Sequence, residues 1–133
     1  MALLQQGGEF EILHLAEYLY LTNKKQKGGK VNNEERFLSA IFGKPVTLAH
    51  FIEQELLAKE IQDVLETLGK KPKRVINLRF GLEDGELRTL KQVGRCCGLT
   101  ENRISQIINR SLYRLRHPTR SRRLKKLISP EDM

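Results

Sequence analysis

The stretch that decides the fold is Thr89–Leu115, which reads TLKQVGRCCGLTENRISQIINRSLYRL. Thr89 followed three residues later by Gln92 forms a capping-box pattern, which predicts a helix beginning directly after Thr89. Gly98 can adopt the left-handed backbone conformation that ends a helix and turns the chain tightly. Thr100 then predicts the N-cap of a second helix. The stretch therefore predicts two helices joined by a short turn.

Small and apolar residues complete the pattern of a helix-turn-helix. Gly94 lies four residues before Gly98, where we expect the two helices to approach too closely for a larger side chain. Apolar residues stand where two crossing helices must bury them: Val93, Cys97, Leu99, Ile104 and Ile107. The combination is typical of a DNA-binding helix-turn-helix, whereas an ordinary helical hairpin needs neither the two glycines nor an arginine-rich second helix.

Polar side chains occupy the first turns of the second helix, the part that enters the major groove in this motif. We assign base reading to Glu101, Asn102, Arg103, Ser105 and Gln106. Asn and Gln can pair bidentately with adenine, Arg can pair with guanine, and Glu can accept from cytosine. Contacts to phosphates add affinity and orientation without sequence information. We assign them to Lys71, Arg79, Thr89, Leu90, Lys91 and Arg110.

Basic residues are concentrated around this motif. The chain has 133 residues, with 24 Lys and Arg against 16 Asp and Glu, and a formal net charge of +8. Residues 101–128 hold nine basic residues and a single acid, Glu101, and a second basic stretch covers residues 70–79. A merely solvated surface would interleave Lys with Glu. The concentration therefore indicates a polyanionic partner, namely nucleic acid.

Helical spacing of apolar residues extends over the rest of the chain, so the predicted fold class is all-α. A largely buried helix is predicted over residues 10–21. Asn33 is predicted to cap a short helix over residues 34–42, and Thr47 a longer one. Pro72 suits the first turn of the helix that follows. We divide the chain into a helical portion over residues 1–45, a helix-turn-helix domain over 46–128 and a tail over 129–133.

Several classes of function are disfavoured by what the sequence lacks. It has no glycine-rich phosphate loop, no Ser/His/Asp or Cys/His arrangement at useful spacing and no metal-ligand cluster, so we expect no enzyme, cofactor or metal. Cys96 and Cys97 are adjacent, which makes a disulfide between them geometrically poor, and we expect free thiols in a reducing cytoplasm. No apolar run approaches the about 18 residues of a membrane span.

Five short strings in the C-terminal half form a distinctive set. They are Val75–Leu82 (VINLRFGL), Arg88–Leu90 (RTL), Val93–Arg95 (VGR), Arg103–Ile107 (RISQI) and Leu115–Arg122 (LRHPTRSR). Together, over about residues 61–128, they closely resemble region 4 of bacterial sigma-70-type sigma factors. The resemblance implies a helix-turn-helix protein of the bacterial, or phage-infected, cytoplasm that works on promoter DNA at the nucleoid.

The resemblance also implies a protein partner. In that family, region 4 reads the upstream promoter hexamer, the −35 element, while its other face holds the flap-tip helix of the RNA polymerase β subunit. The apolar residues available for such a groove are Leu65, Leu68, Ile76, Phe80, Leu82, Leu112 and Leu115. The same residues can simply form the domain core, and the sequence leaves both interpretations open.

The chain departs from the family at three base-reading positions. Glu101 and Asn102 stand where the family has a basic residue followed by Glu, and Ser105 stands in place of Arg, whereas Arg103 and Gln106 are retained. We therefore expect a hexamer preference that differs from the ordinary one. No segment resembles region 2, the part that melts DNA, so we expect a sigma-like factor without it.

Three functional hypotheses follow. The first is a transcription factor that binds promoter DNA and the polymerase β flap. The second is a free-standing helix-turn-helix repressor or activator. The third is an inhibitor or adaptor that occupies the flap and displaces the resident sigma factor. Residues 1–45 are open to two interpretations. They can form a module that docks on polymerase, on a second sigma-like subunit or on an anti-sigma protein. Alternatively, they can form a dimerising or sensing element of a small regulator.

Overall fold

The computed structural model describes residues 32–132, which form six α-helices and a short 3-10 turn. The helices are α1 (Asn33–Phe42), α2 (Gln54–Glu66), α3 (Lys70–Phe80), α4 (Leu90–Cys97), α5 (Glu101–Leu115) and α6 (Pro118–Lys125), and the turn covers Pro130–Asp132. The predicted all-α fold class is confirmed, since β-pairing within residues 32–132 is limited to one isolated bridge between Leu48 and Ile128. The helix predicted over residues 10–21 lies outside the described residues.

The N-cap of α1 is Asn32, so the prediction of Asn33 as the cap is wrong by one residue. Asn32 has an extended backbone, and its side-chain oxygen accepts a hydrogen bond from the backbone N–H of Glu34 at 2.7 Å. Asn33 is already the first helical residue. Its amide nitrogen instead donates to the backbone oxygens of Gly81 at 3.3 Å and Gly85 at 3.2 Å. Either asparagine suits a cap, and only the tertiary contact separates their roles.

Thr47 does not cap a helix, and this prediction is wrong. Helix α2 begins seven residues later, at Gln54, after Glu53, which makes no side-chain capping bond. The backbone around Thr47 pairs instead with the C-terminal segment: the N–H of Ser129 donates to the oxygen of Thr47 at 2.8 Å, and the N–H of Ala49 donates to the oxygen of Leu127 at 2.9 Å. This pairing satisfies backbone groups that a helical turn would otherwise have used.

Helix α3 follows the prediction. It begins at Lys70 after Gly69, and Pro72 is its third residue. The N–H that proline lacks has no intrahelical partner in the first turn, so the helix loses no hydrogen bond there. None of the helices in the described part of the chain is long and apolar enough to cross a membrane.

One hydrophobic core joins all six helices, and α1 contributes to its centre. Phe37, Leu38 and Ile41 are fully buried, and α1 packs against α3 and α5. The rings of Phe37 and Phe80 meet edge to face with their centroids 5.5 Å apart. The division of the chain at residue 45 remains a prediction, but α1, which lies before that boundary, shares its core with the helices after it.

Candidate nucleic-acid interface

Helix α4 begins with the capping box that the sequence predicts. The side-chain oxygen of Thr89 accepts from the backbone N–H of Gln92 at 3.1 Å, and the backbone N–H of Thr89 donates to the side-chain oxygen of Gln92 at 2.9 Å. Two backbone groups at the helix start are thereby satisfied reciprocally. The box fixes the residue at which the first helix of the helix-turn-helix begins.

The turn between α4 and α5 depends on two glycines, as predicted. Gly98 ends α4 in the left-handed conformation, with φ of 69° and ψ of 33°. The N–H of Leu99 then donates to the oxygen of Gly94 at 2.9 Å. A Cβ at Gly94 would lie 2.5 Å from the backbone oxygen of Leu99 and 3.8 Å from the side chain of Ile104. The tightest approach is therefore to the backbone of the turn, and the second helix lies just behind it.

Helix α5 separates an apolar face from a polar one. Thr100 caps it, since its side-chain oxygen accepts from the backbone N–H of Arg103 at 3.1 Å. The buried face holds Ile104, Ile107 and Ile108, which anchor the helix on the core. The five residues assigned to base reading lie within its first two turns, where Glu101, Asn102, Arg103 and Gln106 are exposed and Ser105 is half-buried.

A shallow basic depression lies beside the polar face of α5. It is lined by Lys71, Pro72, Arg103, Gln106, Ile107, Arg110, Ser111 and Arg114. Four of these residues are cationic and none is acidic. The depression therefore brings together two residues assigned to base reading, Arg103 and Gln106, and two assigned to phosphates, Lys71 and Arg110. The four cationic side chains repel one another. An anion bound in the depression would be attracted to several of them at once and would reduce this repulsion.

Two contacts order the side chains of this basic depression. Arg103 donates from Nη1 to the side-chain oxygen of Gln106 at 3.3 Å, so that a guanidinium and a carboxamide stand side by side. Arg114 donates from Nη1 to the backbone oxygen of Leu68 at 3.2 Å, which fixes its position. The sequence assignment missed Arg114. Its spacing of four residues from Arg110 on one helix face is the signal that would have found it.

The remaining residues assigned to phosphates lie elsewhere. Thr89 and Lys91 are exposed, and Leu90 is half-buried, at the start of α4 and outside the basic depression. Arg79 differs from them because its guanidinium is largely buried and donates to the backbone oxygen of Arg88. Burial lowers the pKa of Arg79 to about 10, so that the side chain still carries its charge at neutral pH. In this structure, Arg79 supports the segment that leads into the capping box.

An ion pair holds the loop between α3 and α4. Nη2 of Arg88 lies 2.6 Å from Oδ2 of Asp84, and Nη1 of Arg88 also donates to the backbone oxygens of Leu78 and Glu86. The hydrogen bond from Arg88 lowers the pKa of the Asp84 carboxyl below its usual range, helped by the backbone N–H of Glu86. The loop that precedes Thr89 is thus bound to α3 through Arg88 as well as through Arg79.

This pKa shift sets the direction of a pH effect. A carboxyl whose pKa is lower in the folded than in the unfolded state stabilises the fold above the unfolded pKa, and this contribution is lost as the pH falls through the lower, folded value. We therefore expect Asp84→Asn to flatten the loss of stability on acidification below about pH 4. Thermal unfolding of both proteins across that range measures the effect. Identical pH profiles would show that the ion pair does not contribute.

The seven residues offered for a polymerase groove lie in or against the core. Leu65, Leu68, Ile76, Phe80, Leu112 and Leu115 are buried there, and Leu82 is half-buried and packed against it. In the described residues these side chains pack against other parts of this chain. Their assignment to a polymerase contact stays a prediction.

The two cysteines lie at the end of α4, outside the basic depression. Cys96 is exposed, Cys97 is half-buried, and both are free thiols. Among residues 32–132, no three His, Cys, Asp or Glu side chains are grouped so as to hold a metal ion.

The helices that carry this surface match a known protein family. Residues 64–117 match the family model described as sigma-70, region 4. This segment is similar to sigma-70 region 4. It runs from the last turn of α2 to the residue before α6, so the matched segment includes the helix-turn-helix and all residues of the basic depression. Helix α1 lies outside the matched residues.

Relatives of known name agree with this result. The chain is 49% identical over 80 residues to the RNA polymerase sigma factor SigA of a Bacillus species, which covers 60% of this chain and 21% of the relative. It is 52% identical over 71 residues to SigA of Listeria monocytogenes and of Listeria innocua, which covers 53% of this chain and 19% of each relative. The chain thus spans about a fifth of the length of the curated relatives it matches.

Proposed function

We propose that this chain is a sigma-factor-like transcription factor that binds promoter DNA of the −35 type through α5 and core RNA polymerase through the β flap. The observation that carries the DNA half is the basic depression beside the first turns of α5. A helix-turn-helix delivers the first turns of its second helix into the major groove, and the cations flanking that helix then lie near the phosphate backbone.

Direct readout in this proposal depends on the paired side chains of Arg103 and Gln106. Arg can donate twice to guanine and Gln can pair twice with adenine in the major groove. Glu101 and Asn102 stand in the same exposed turn, where a carboxylate disfavours a nearby phosphate and can accept from cytosine. The preferred hexamer should therefore share some positions with the family's ordinary site and differ at others.

Selection of binding sites from randomised 25-base-pair duplexes tests the DNA half. The proposal expects a single asymmetric site bound by a monomer. A palindromic site bound by a dimer would instead favour the free-standing repressor or activator, because proteins with two-fold symmetry prefer operators with two-fold symmetry. Recovery of no common sequence, with binding that depends only on salt, would contradict base reading altogether.

Substitutions on the two kinds of DNA-contacting residue should have different effects. Gln106→Ala is expected to cost about 1–3 kcal/mol on the selected site and to relax the preference at one base position. Arg110→Ala is expected to weaken all duplexes alike and to lower the slope of log K against log salt by about one. Titrations of the selected site and of single-base variants at several salt concentrations separate these outcomes. A uniform loss for both variants would remove Gln106 from base reading.

The polymerase half is supported by the relatives, which are RNA polymerase sigma factors by name and match this chain over region 4. Co-purification of the full chain with core polymerase from a Bacillus species tests it, with a core enzyme that lacks the β flap as the control. Retention by the complete core and loss with the flapless core is the expected result. Equal retention by both enzymes would place the contact elsewhere on polymerase.

A further inference from the structure

Helix α1 lies before the region 4 match and nevertheless packs against two of the matched helices, α3 and α5. Residues 37–41 are five in succession with no exposed surface, so every side of the helix is covered by other parts of the chain. An ordinary peripheral helix leaves one face in solvent. Two helices of the matched segment, α3 and α5, therefore pack against a helix that residues 64–117 do not supply.

The contacts of α1 fall on the apolar side of region 4 that we propose for polymerase. The helix packs against α3 and α5, which carry four of the seven residues offered for the flap. The ring of Phe37 meets the ring of Phe80, which is one of those four. Asn33 donates to the backbone oxygens of Gly81 and Gly85, on either side of Leu82, another of the seven.

Two polar residues of α1 are buried together with hydrogen-bond partners. Arg36 is only 6% exposed, and its Nη1 donates to the side-chain oxygen of Asn33 at 2.6 Å. Removing a guanidinium from water carries a desolvation cost that its hydrogen bonds must offset. Ser39 is also buried, and its hydroxyl oxygen accepts from the N–H of Val46 at 3.0 Å. Release of α1 would return both groups to water.

The segment that follows α1 pairs through its backbone with the C-terminal end of the described chain. Two hydrogen bonds, from Ser129 to Thr47 and from Ala49 to Leu127, join this segment to the C-terminal end of the described chain. The N–H of Leu48 also donates to a side-chain oxygen of Glu35 on α1, at 3.0 Å. Release of α1 would break these hydrogen bonds and its core contacts, whereas α3, α4 and α5 would keep the contacts that they make directly with one another.

We propose that α1 is an intramolecular occupant of the apolar groove of region 4, and that the helix of the polymerase β flap competes with it for this groove. The proposal deepens the polymerase half of the proposed function and depends on it. A protein whose groove is filled binds its partner only through the fraction of molecules in which the groove is open, so the apparent affinity falls by that fraction. Release of α1 is then the step that controls recruitment to polymerase.

Affinity for the purified β flap domain of a Bacillus RNA polymerase tests this competition in the full chain. Phe37→Ala removes packing contacts between α1 and the core without changing any of the seven groove residues. It should bind the flap at least tenfold more tightly than the wild type. Leu57→Ala on α2 is the matched control, since Leu57 is equally buried but is not among the groove residues. It should lower the melting temperature and leave flap affinity unchanged. Equal flap affinity of all three proteins would overturn the competition while leaving the flap contact intact.

Hydrogen exchange on the wild-type protein gives a second measurement that needs no substitution. Saturating flap domain should speed exchange of the amides of residues 36–42 and leave those of α4 protected. Amides of α1 that stay protected in the bound complex would overturn the proposal. If neither the wild type nor Phe37→Ala binds the flap, the polymerase half of the proposed function fails and the competition with it. Selection of a DNA site would then still support the DNA half.

Discussion

Gly94→Ala is expected to destabilise the protein and to abolish specific DNA binding. At an ordinary helical position, alanine is better than glycine by about 1 kcal/mol. Here the new Cβ would lie 2.5 Å from the backbone oxygen of Leu99, which no side-chain rotation can relieve. We expect the overpacking to outweigh the gain in propensity, at a cost of about 1–3 kcal/mol. Because Leu99 directly precedes the cap of α5, relief of the clash must also shift the recognition helix.

Urea unfolding and titration of the selected duplex measure the two effects of Gly94→Ala separately. Gly85→Ala is the matched control, because Gly85 has a φ of +78° and a Cβ added there would meet no atom within 4 Å. It should cost about 1–2 kcal/mol of stability through its left-handed backbone and leave DNA binding unchanged. A Gly94→Ala protein as stable as the wild type, with full DNA affinity, would contradict the close approach in the turn.

Phe37→Ala is expected to lower the free energy of unfolding by about 3–5 kcal/mol, as for other fully buried phenylalanines. The reason is that α1 belongs to the same core as region 4, through the ring contact with Phe80. In a double-mutant cycle, Phe37→Ala and Phe80→Ala should show a coupling of about 0.5–1.5 kcal/mol. Denaturant unfolding of the four proteins provides the values.

Phe51→Ala is the control for this experiment. Phe51 is 73% exposed, so its loss should change stability by no more than about 0.5 kcal/mol. Two outcomes would contradict the shared core. One is a Phe37→Ala effect as small as that of Phe51→Ala. The other is a cycle without coupling between Phe37 and Phe80.

The helix-turn-helix could be predicted from sequence because its signals are local. Thr89 and Gln92 bond across three residues, Gly98 supplies its own backbone conformation, and Thr100 caps the helix it precedes. Each of these choices is decided within one turn of chain. The placement of Thr47 was not predictable in this way, since its backbone partner, Ser129, lies far along the chain. A threonine before a helical pattern suits either a helix N-cap or an extended, paired segment, and only the position of its backbone partner decides between them.

The candidate site was predictable in composition but less so in arrangement. The residues assigned to base reading share the first turns of one helix, and periodicity alone places them together. Lys71 and Arg110 meet only because α3 packs on α5, whereas Arg114 lies one turn after Arg110 on the same helix and could have been assigned from that spacing. Arg79 has the right charge, yet its guanidinium is turned inwards to the backbone oxygen of Arg88. Burial and packing decide these cases, and neither is visible in a list of cations.

We propose that the first turns of α5 lie in the major groove of promoter DNA. The most direct measurement is solution NMR of the protein bound to its selected duplex. We expect intermolecular contacts between the side-chain amide protons of Gln106 and base protons in the major groove, with the largest chemical-shift changes over residues 101–106. Contacts to the duplex from α6 alone, with the side chain of Gln106 unchanged on binding, would contradict it.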